Sequence, residues 1–294
     1  MHRSVPPPRP GRSDAGQGRG EPRRYRWLGD WPAGAHGAAA EGTAAQTAFV
    51  VREGETDLWV ACRPPVDAPG AASACQRRVR EVRAAILAFA RKHPSFLTSH
   101  DPLPVDPDVP NAPDAVAAAG APVVRAMLEA GLRAGVGPMA AVAGAIAEDA
   151  ARFLRDRYGS ETVIVENGGD VFAFSPAPLT MLLLAGGSPL SGKAALRLPA
   201  APDGISVCTS SGTVGPSFSR GKADAATVVA AGGALADALA TELGNRIARA
   251  EDIEPALAWL AETGGALGGA AVVGQRLGLW GQLELVPLAS GGDR

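Results

Sequence analysis

The sequence predicts an α+β fold in which pairs of strands alternate with pairs of helices. Three observations carry that expectation. Residues 47–51 and 57–61 alternate apolar and polar side chains across a turn at 53–55, which reads as a hairpin. The run Glu166-Asn167-Gly168-Gly169-Asp170 places paired glycines between two strand-like segments, a second hairpin signal. Long segments with helical apolar spacing separate strand pairs from strand pairs, which argues against a doubly wound parallel sheet.

The elements follow in order. Ser73 precedes an amphipathic stretch, ACQRRVREVRAAILAFARKH, expected to stop before Pro94. Residues 94–114, rich in proline and aspartate, read as a connector. A second helix is expected over 114–134, broken near Gly120–Pro122. A third opens at Gly137-Pro138 and runs to Tyr158, with the proline where a first turn tolerates it. Strands are expected at 162–166, 171–174, 180–185, 205–208 and 225–230. Helices over 234–249 and 252–262 come next, then short strands at 270–273, 277–280 and 283–286. No repeat is visible in the sequence, but this element pattern leaves room for a structural duplication.

A chain of 294 residues, 46% apolar, is long enough for one large core or two packed halves. Its formal charge is −2, yet the first 26 residues carry seven arginines against Asp14 and Glu21 and hold +5 of it. Residues 1–25 are too rich in proline, glycine and arginine to bury a core and read as a disordered basic tail. That composition argues for a solvated segment rather than a nucleic-acid surface. The domain is expected over 26–288, with 289–294 a flexible end. The tail has no apolar core of a secretory signal, and no run of about 18 apolar residues offers a membrane span. Cys62, Cys75 and Cys208, odd in number and widely spaced, suggest neither disulfides nor a zinc site, so a reducing cytoplasm is the expected location. Nothing in the chain excludes a homo-oligomer.

Several residues could carry chemistry. Asp237 and Thr241 stand four apart on an expected helix, so a carboxylate and a hydroxyl share one face and can meet a hard cation such as Mg²⁺. The plainer reading of Asp237 is an acid favoured near a helix N-terminus. Glu166, Asn167, Gly168, Gly169 and Asp170 either expose amides and carboxylates to a cofactor or simply close a tight turn. Thr209, Ser210, Ser211, Gly212 and Thr213 gather hydroxyls around a glycine just after a strand, a loop able to hold phosphate without charge. Cys208 beside them is expected to be a buried strand residue, since no histidine follows His100. Gly135-Val136-Gly137-Pro138-Met139-Ala140 fits a dinucleotide fingerprint in letters but follows a helix rather than a strand. Ser219-Arg220-Gly221-Lys222 fits a serine–lysine motif, but Gly221 argues against the helix that motif needs. A metal trio of His93, His100 and Asp101 is weaker than the plain reading of loop and helix-end residues.

At these residues the chain resembles a known group. VENGGDVF, GVGPMAAVAGAIAE and the block SVCTSSGTVG…GKADAATVV…ADALATELGN look like an uncharacterised family related to the ApbE flavin transferases, over about Tyr25 to Val286. The resemblance implies a T-fold type of α+β structure, two intertwined sheet-plus-helix repeats with a nucleotide site between them. It also implies binding of FAD with Mg²⁺, and transfer of FMN to a threonine hydroxyl of an acceptor protein with release of AMP. The family's Ala-Asp-x-x-x-Thr helix matches Asp237 and Thr241 as metal ligands, with a main-chain carbonyl from Met139 or Ala140. Its Gly-Gly-Asp matches Gly168, Gly169 and Asp170, and its Thr-Ser-Gly matches Thr209, Ser211 and Gly212 with Ser210 as an extra residue. A histidine segment that precedes the metal helix in ApbE is replaced here by Pro216-Ser217-Phe218-Ser219-Arg220-Gly221-Lys222. Lys222 and Asp224 then become the candidates for catalysis, by charge neutralisation and as general base. Three functions are expected in turn: metal-assisted attack on the FAD pyrophosphate, flavin or nucleotide binding without catalysis, and an enzyme acting on another small metabolite. With aromatic residues at only 5%, few rings are available to stack on an isoalloxazine, which favours the last.

Overall fold

The computed structural model describes residues 27–28, 46–103, 121–212 and 220–287. The expected basic tail, residues 114–120, Thr213 and the 289–294 end lie outside the described residues.

A short strand β1 (Trp27–Leu28) precedes the hairpin of β2 (Thr47–Glu53) and β3 (Thr56–Arg63), the first predicted pair. Helix α1 (Ala68–Lys92) begins earlier than the sequence suggests. Asp67 accepts the N–H of Gly70 at 3.0 Å and Pro69 occupies the first turn, so the start signal lies six residues before Ser73. The connector is partly packed: α2 (Ser95–Thr98) buries Phe96 edge-on to Phe89, with ring centroids 5.0 Å apart. Helix α3 (Pro122–Ala134) starts at its proline. The third expected helix opens as a 3₁₀ turn, Pro138–Ala141, before α4 (Val142–Tyr158).

Strands β4 (Thr162–Asn167) and β5 (Asp170–Ser175) form the second hairpin. Next come β6 (Leu179–Leu182), β7 (Ala194–Leu198), which sequence reading missed, and β8 (Ala201–Ser210). Strand β9 (Ala225–Ala230) leads into α5 (Gly233–Asn245). That helix ends four residues before Arg249, because the Asp252 carboxylate accepts the N–H groups of Ala248 and Arg249 at 3.0 and 2.9 Å and turns the chain. Helix α6 (Ile253–Thr263), β10 (Ala266–Val273), β11 (Arg276–Gly281) and β12 (Glu284–Pro287) complete the described chain.

The fold is α+β in three layers. An antiparallel sheet runs in the order β11-β10-β9-β8-β5-β4-β3-β2, and a second runs β1-β6-β7-β12. The larger sheet contains the duplication that the sequence hid. Read along the chain, β2-β3, helices α1 and α4, then β4-β5 match β8-β9, helices α5 and α6, then β10-β11. The halves join where β5 pairs with β8. Strand alternation divides the core. Val163, Val165, Phe172 and Phe174 face the helices, whereas Ile164, Val171 and Ala173 face the smaller sheet with Met181 and Leu196. Full burial of each large apolar side chain contributes about 1.5–3 kcal/mol. No single helix among the described residues is long and apolar enough to cross a membrane. The pair α3 and 138–158 passes on length and composition only, bent by 107°.

Candidate functional site

Two helices from different halves meet at their N-termini. Gly144 in the first turn of α4 lies against Gly233 at the start of α5, where a Cβ on either would run into the other's carbonyl. This contact lets each helix cap the other. Glu148 Oε2 of α4 accepts the Gly233 N–H at 2.6 Å, and Asp237 Oδ2 of α5 accepts the Gly144 N–H at 2.9 Å. Neither helix has a side-chain cap from its own N-cap residue, so these crossed bonds satisfy donors that would otherwise be orphaned.

Beside this junction lies a cleft of about 300 Å³. One wall is the 3₁₀ turn and the start of α4, with Gly137, Met139, Ala140 and Ala143. Asp237, Thr241 and Asn245, at four-residue intervals along one face of α5, form another. Gly168 and Asp170 come from the β4–β5 turn, and Thr209, Ser210 and Ser211 from the end of β8. Ser99, His100 and Arg220 stand at the rim.

The electrostatics centre on Asp237. Burial raises its pKa well above the ordinary carboxylate value, and the neighbouring Asp170 pushes it the same way. The amides of Gly144 and Ala143 oppose this by favouring the anion. Asp170 Oδ1 itself accepts the Thr209 N–H at 3.2 Å. Two adjacent carboxylates, a threonine hydroxyl and nearby main-chain carbonyls are a hard oxygen set. Such a set suits Mg²⁺, which binds through one or two carboxylates and leaves positions for phosphate and water. No group of three or more His, Cys, Asp or Glu that could hold a metal ion occurs among the described residues.

The structure brings Asp237, Thr241, Gly168, Asp170, Thr209, Ser210 and Ser211 together. It gives them unequal parts. The Thr209 hydroxyl is shared with Thr227 Oγ1 at 2.8 Å on the face toward the smaller sheet, so Thr209 meets the cleft through its main chain. Gly168 and Gly169 take φ of +65° and +120°, values that suit glycine in this turn. Asn167 stands behind the cleft and donates from Nδ2 to the Ala143 carbonyl at 3.0 Å, fixing the start of α4. The Met139 carbonyl accepts the Val142 N–H.

Other candidates are elsewhere. Glu166 pairs in register with Trp59 and Val171, which places its side chain on the smaller-sheet face, away from the cleft. Gly212 is exposed and donates its N–H to the Ala223 carbonyl at 2.9 Å, outside the lining. The two residues expected to carry catalysis are not brought to the cleft. Lys222 is exposed with its main chain bonded to Ile247, and the Asp224 carboxylate accepts the Gly274 N–H at 2.8 Å in the β10–β11 turn. That turn needs an acceptor for its amide, and Asp224 is the residue within reach. Cys208 is fully buried in β8, and burial pushes its thiol pKa well up, as a strand residue would show. His93 stacks on Phe89 with centroids 4.4 Å apart and does not join His100.

Sequence reading passed over Asn245 and Arg220 and gave His100 no part in the site. Asn245 continues the Asp237–Thr241 spacing and was visible in principle. Its Oδ1 accepts the Arg220 N–H at 3.0 Å, so it also sets the position of Arg220. His100 has no local signal. It arrives because Gly137, lacking a Cβ, lets the Ser99–His100 main chain lie against it and donates its N–H to the His100 carbonyl at 2.9 Å.

A family model described as AbpE bacteria matches residues 40–279. A UPF0280 protein from Methanocella arvoryzae is 36% identical over 212 residues, covering 72% of this chain and 81% of the relative. Another from Methanosarcina acetivorans is 34% identical over 225 residues, covering 76% and 83%. Among solved structures, the flavin transferase ApbE from Vibrio cholerae aligns at 14% identity over 81% of this chain and 97% of its own, with a TM-score of 0.44. The ApbE protein from Thermotoga maritima aligns at 15% identity over 80% and 96%, with a TM-score of 0.48.

Proposed function

The chain belongs to the AbpE bacteria family, and on that premise we propose that it binds FAD with Mg²⁺ in this cleft and transfers FMN to a hydroxyl of an acceptor protein. The observation that carries the reading is the buried carboxylate of Asp237 beside Asp170, which a divalent cation would relieve. Asp237 and Thr241 hold the ion, with a main-chain carbonyl of the Met139–Ala140 turn beside them. Bound there, Mg²⁺ supplies charge neutralisation on the pyrophosphate.

The remaining roles belong to the chain itself. Ser210 and Ser211 donate hydroxyl protons to phosphate oxygens, and the Gly168 turn admits the nucleotide close to the main chain. Arg220, held at the end of the α5 wall by Asn245, gives a cationic rim and steers the diphosphate inward. We place the protein in the reducing cytoplasm, where its three buried cysteines stay thiols.

Purified protein mixed with FAD and Mg²⁺ is expected to melt at a higher temperature and to release AMP, and Asp237→Ala is expected to lose both responses. If neither FAD nor FMN shifts the melting temperature at saturation, the flavin reading is wrong. A second reading, flavin binding without transfer, is favoured by one observation: Lys222 and Asp224 both lie away from the cleft lining. FAD-dependent stabilisation without AMP release would select it.

A further inference from the structure

We infer that Glu148, which does not itself line the cleft, is a positioning residue for the cation site, an inference that rests on the Mg²⁺ reading above.

The two crossed caps close into a ring. Glu148 stands four residues after Gly144 on α4, and Asp237 four residues after Gly233 on α5. Each carboxylate therefore lies one turn beyond its own helix's glycine. Each then reaches across to the other glycine: Glu148 Oε2 accepts the Gly233 N–H at 2.6 Å, and Asp237 Oδ2 accepts the Gly144 N–H at 2.9 Å. Of the two acids only Asp237 lines the cleft.

The ring sets the spacing a cation would meet. Asp237 and Thr241 ride on α5, whereas the Met139 and Ala140 carbonyls belong to the turn that leads into α4. Mg²⁺ tolerates little departure from octahedral geometry, so the two groups must keep a fixed separation. That separation is decided where the helices touch, at Gly144 and Gly233. Gly232, the N-cap of α5, has no side chain to satisfy the Gly233 amide, and Glu148 supplies the acceptor. Without it the first turn of α5 loses its anchor one turn before Asp237.

Glu148 is itself held in place. Arg152, one turn further along α4, donates from Nε to Glu148 Oε1 at 2.8 Å and leaves Oε2 for Gly233. The Arg152 guanidinium lies 5.3 Å from the ring centroid of Phe172 and 5.7 Å from that of Phe174, on the strand that begins at Asp170. One carboxylate thus connects the helix that carries Asp237 with the strand that carries Asp170.

The test titrates the full chain with Mn²⁺, a hard cation suited to the same oxygen ligands and counted by its EPR signal, and follows the stability of each variant in urea. Glu148→Ala is expected to bind Mn²⁺ about 10-fold more weakly. Glu148→Gln keeps an acceptor for the Gly233 amide and should bind within about threefold of the unaltered protein. Asp224→Ala, which weakens the fold outside the cleft lining, is the control for stability alone and should bind as the unaltered protein does. Three results each overturn the assignment and leave the Mg²⁺ reading standing: Glu148→Ala binding normally, Glu148→Gln weakened as much as Glu148→Ala, or Asp224→Ala weakened to the same degree. No Mn²⁺ binding by the unaltered protein, or binding that Asp237→Ala leaves intact, overturns both. Should Glu148→Ala fail to fold, Glu148→Asp, one methylene short of the Gly233 amide, takes its place with the same outcomes.

Discussion

Asp237 Oδ2 accepts the N–H of Gly144 at 2.9 Å, so a carboxylate that lines the cleft also caps the helix forming the opposite wall. Site geometry and helix packing are thus one arrangement. A side chain at Gly144 meets the Gly233 carbonyl and comes within 2.9 Å of the Asp237 Cβ. Gly144→Val should destabilise the fold by about 3 kcal/mol, since neither helix backbone can yield cheaply. Urea denaturation reads the loss, and a change within 0.5 kcal/mol would show that the helices separate more easily than their contact implies.

Asp237 sets a pH dependence. Its folded pKa is raised by burial and by Asp170, so the folded state disfavours the ionised form. Without metal, stability should therefore fall as pH rises from the unfolded carboxylate value of about 3.9 through the raised folded value. Asp237→Asn should flatten that decline and raise the melting temperature of the metal-free protein. Mg²⁺ affinity should increase over the same window, because the ion displaces the proton. Calorimetric titration at several pH values checks this, and an affinity independent of pH would contradict it.

Thr209 and Ser210 are neighbours with opposite duties. Thr209→Val breaks the bond to Thr227 inside the sheet and should cost about 1 kcal/mol of stability, with FAD affinity unchanged. Ser210→Ala should leave stability nearly intact and weaken FAD binding by about 3–10-fold, the worth of one hydrogen bond. Paired denaturation and fluorescence titrations would reverse the assignment if the two effects were exchanged.

Asp224 is the acceptor of a turn. Asp224→Ala should destabilise the protein by about 1 kcal/mol through the orphaned Gly274 amide, and AMP release per folded molecule should be unchanged. A tenfold loss of AMP release with normal stability would return Asp224 to the chemistry.

Legibility followed the range of each interaction. The β2–β3 and β4–β5 hairpins, β9 and the Asp237–Thr241 face rest on spacings within a few residues, and these could be read directly. β7 was missed because its partners, β6 and β12, supply the pairing that AALRL alone does not announce. The duplication was hidden since it resides in element order rather than residue identity. The bond of Asp224 to Gly274 could not be read because the two lie fifty residues apart, and His100 needed Gly137 to bring it in. Thr209 shows the limit within a motif: alternation along β8 decides which face its hydroxyl takes, and the letters TSSGT do not record that.

The β5–β8 seam has an evolutionary consequence. A ββααββ unit that paired with a separate copy of itself would have to place every residue at two equivalent positions. Covalent fusion removes that obligation. One half can then specialise in Asp170, Gly137 and His100, and the other in Ser210, Asp237 and Thr241, so the cleft draws different residues from each. Joined head to tail in one chain, each half is free to mutate where the other cannot.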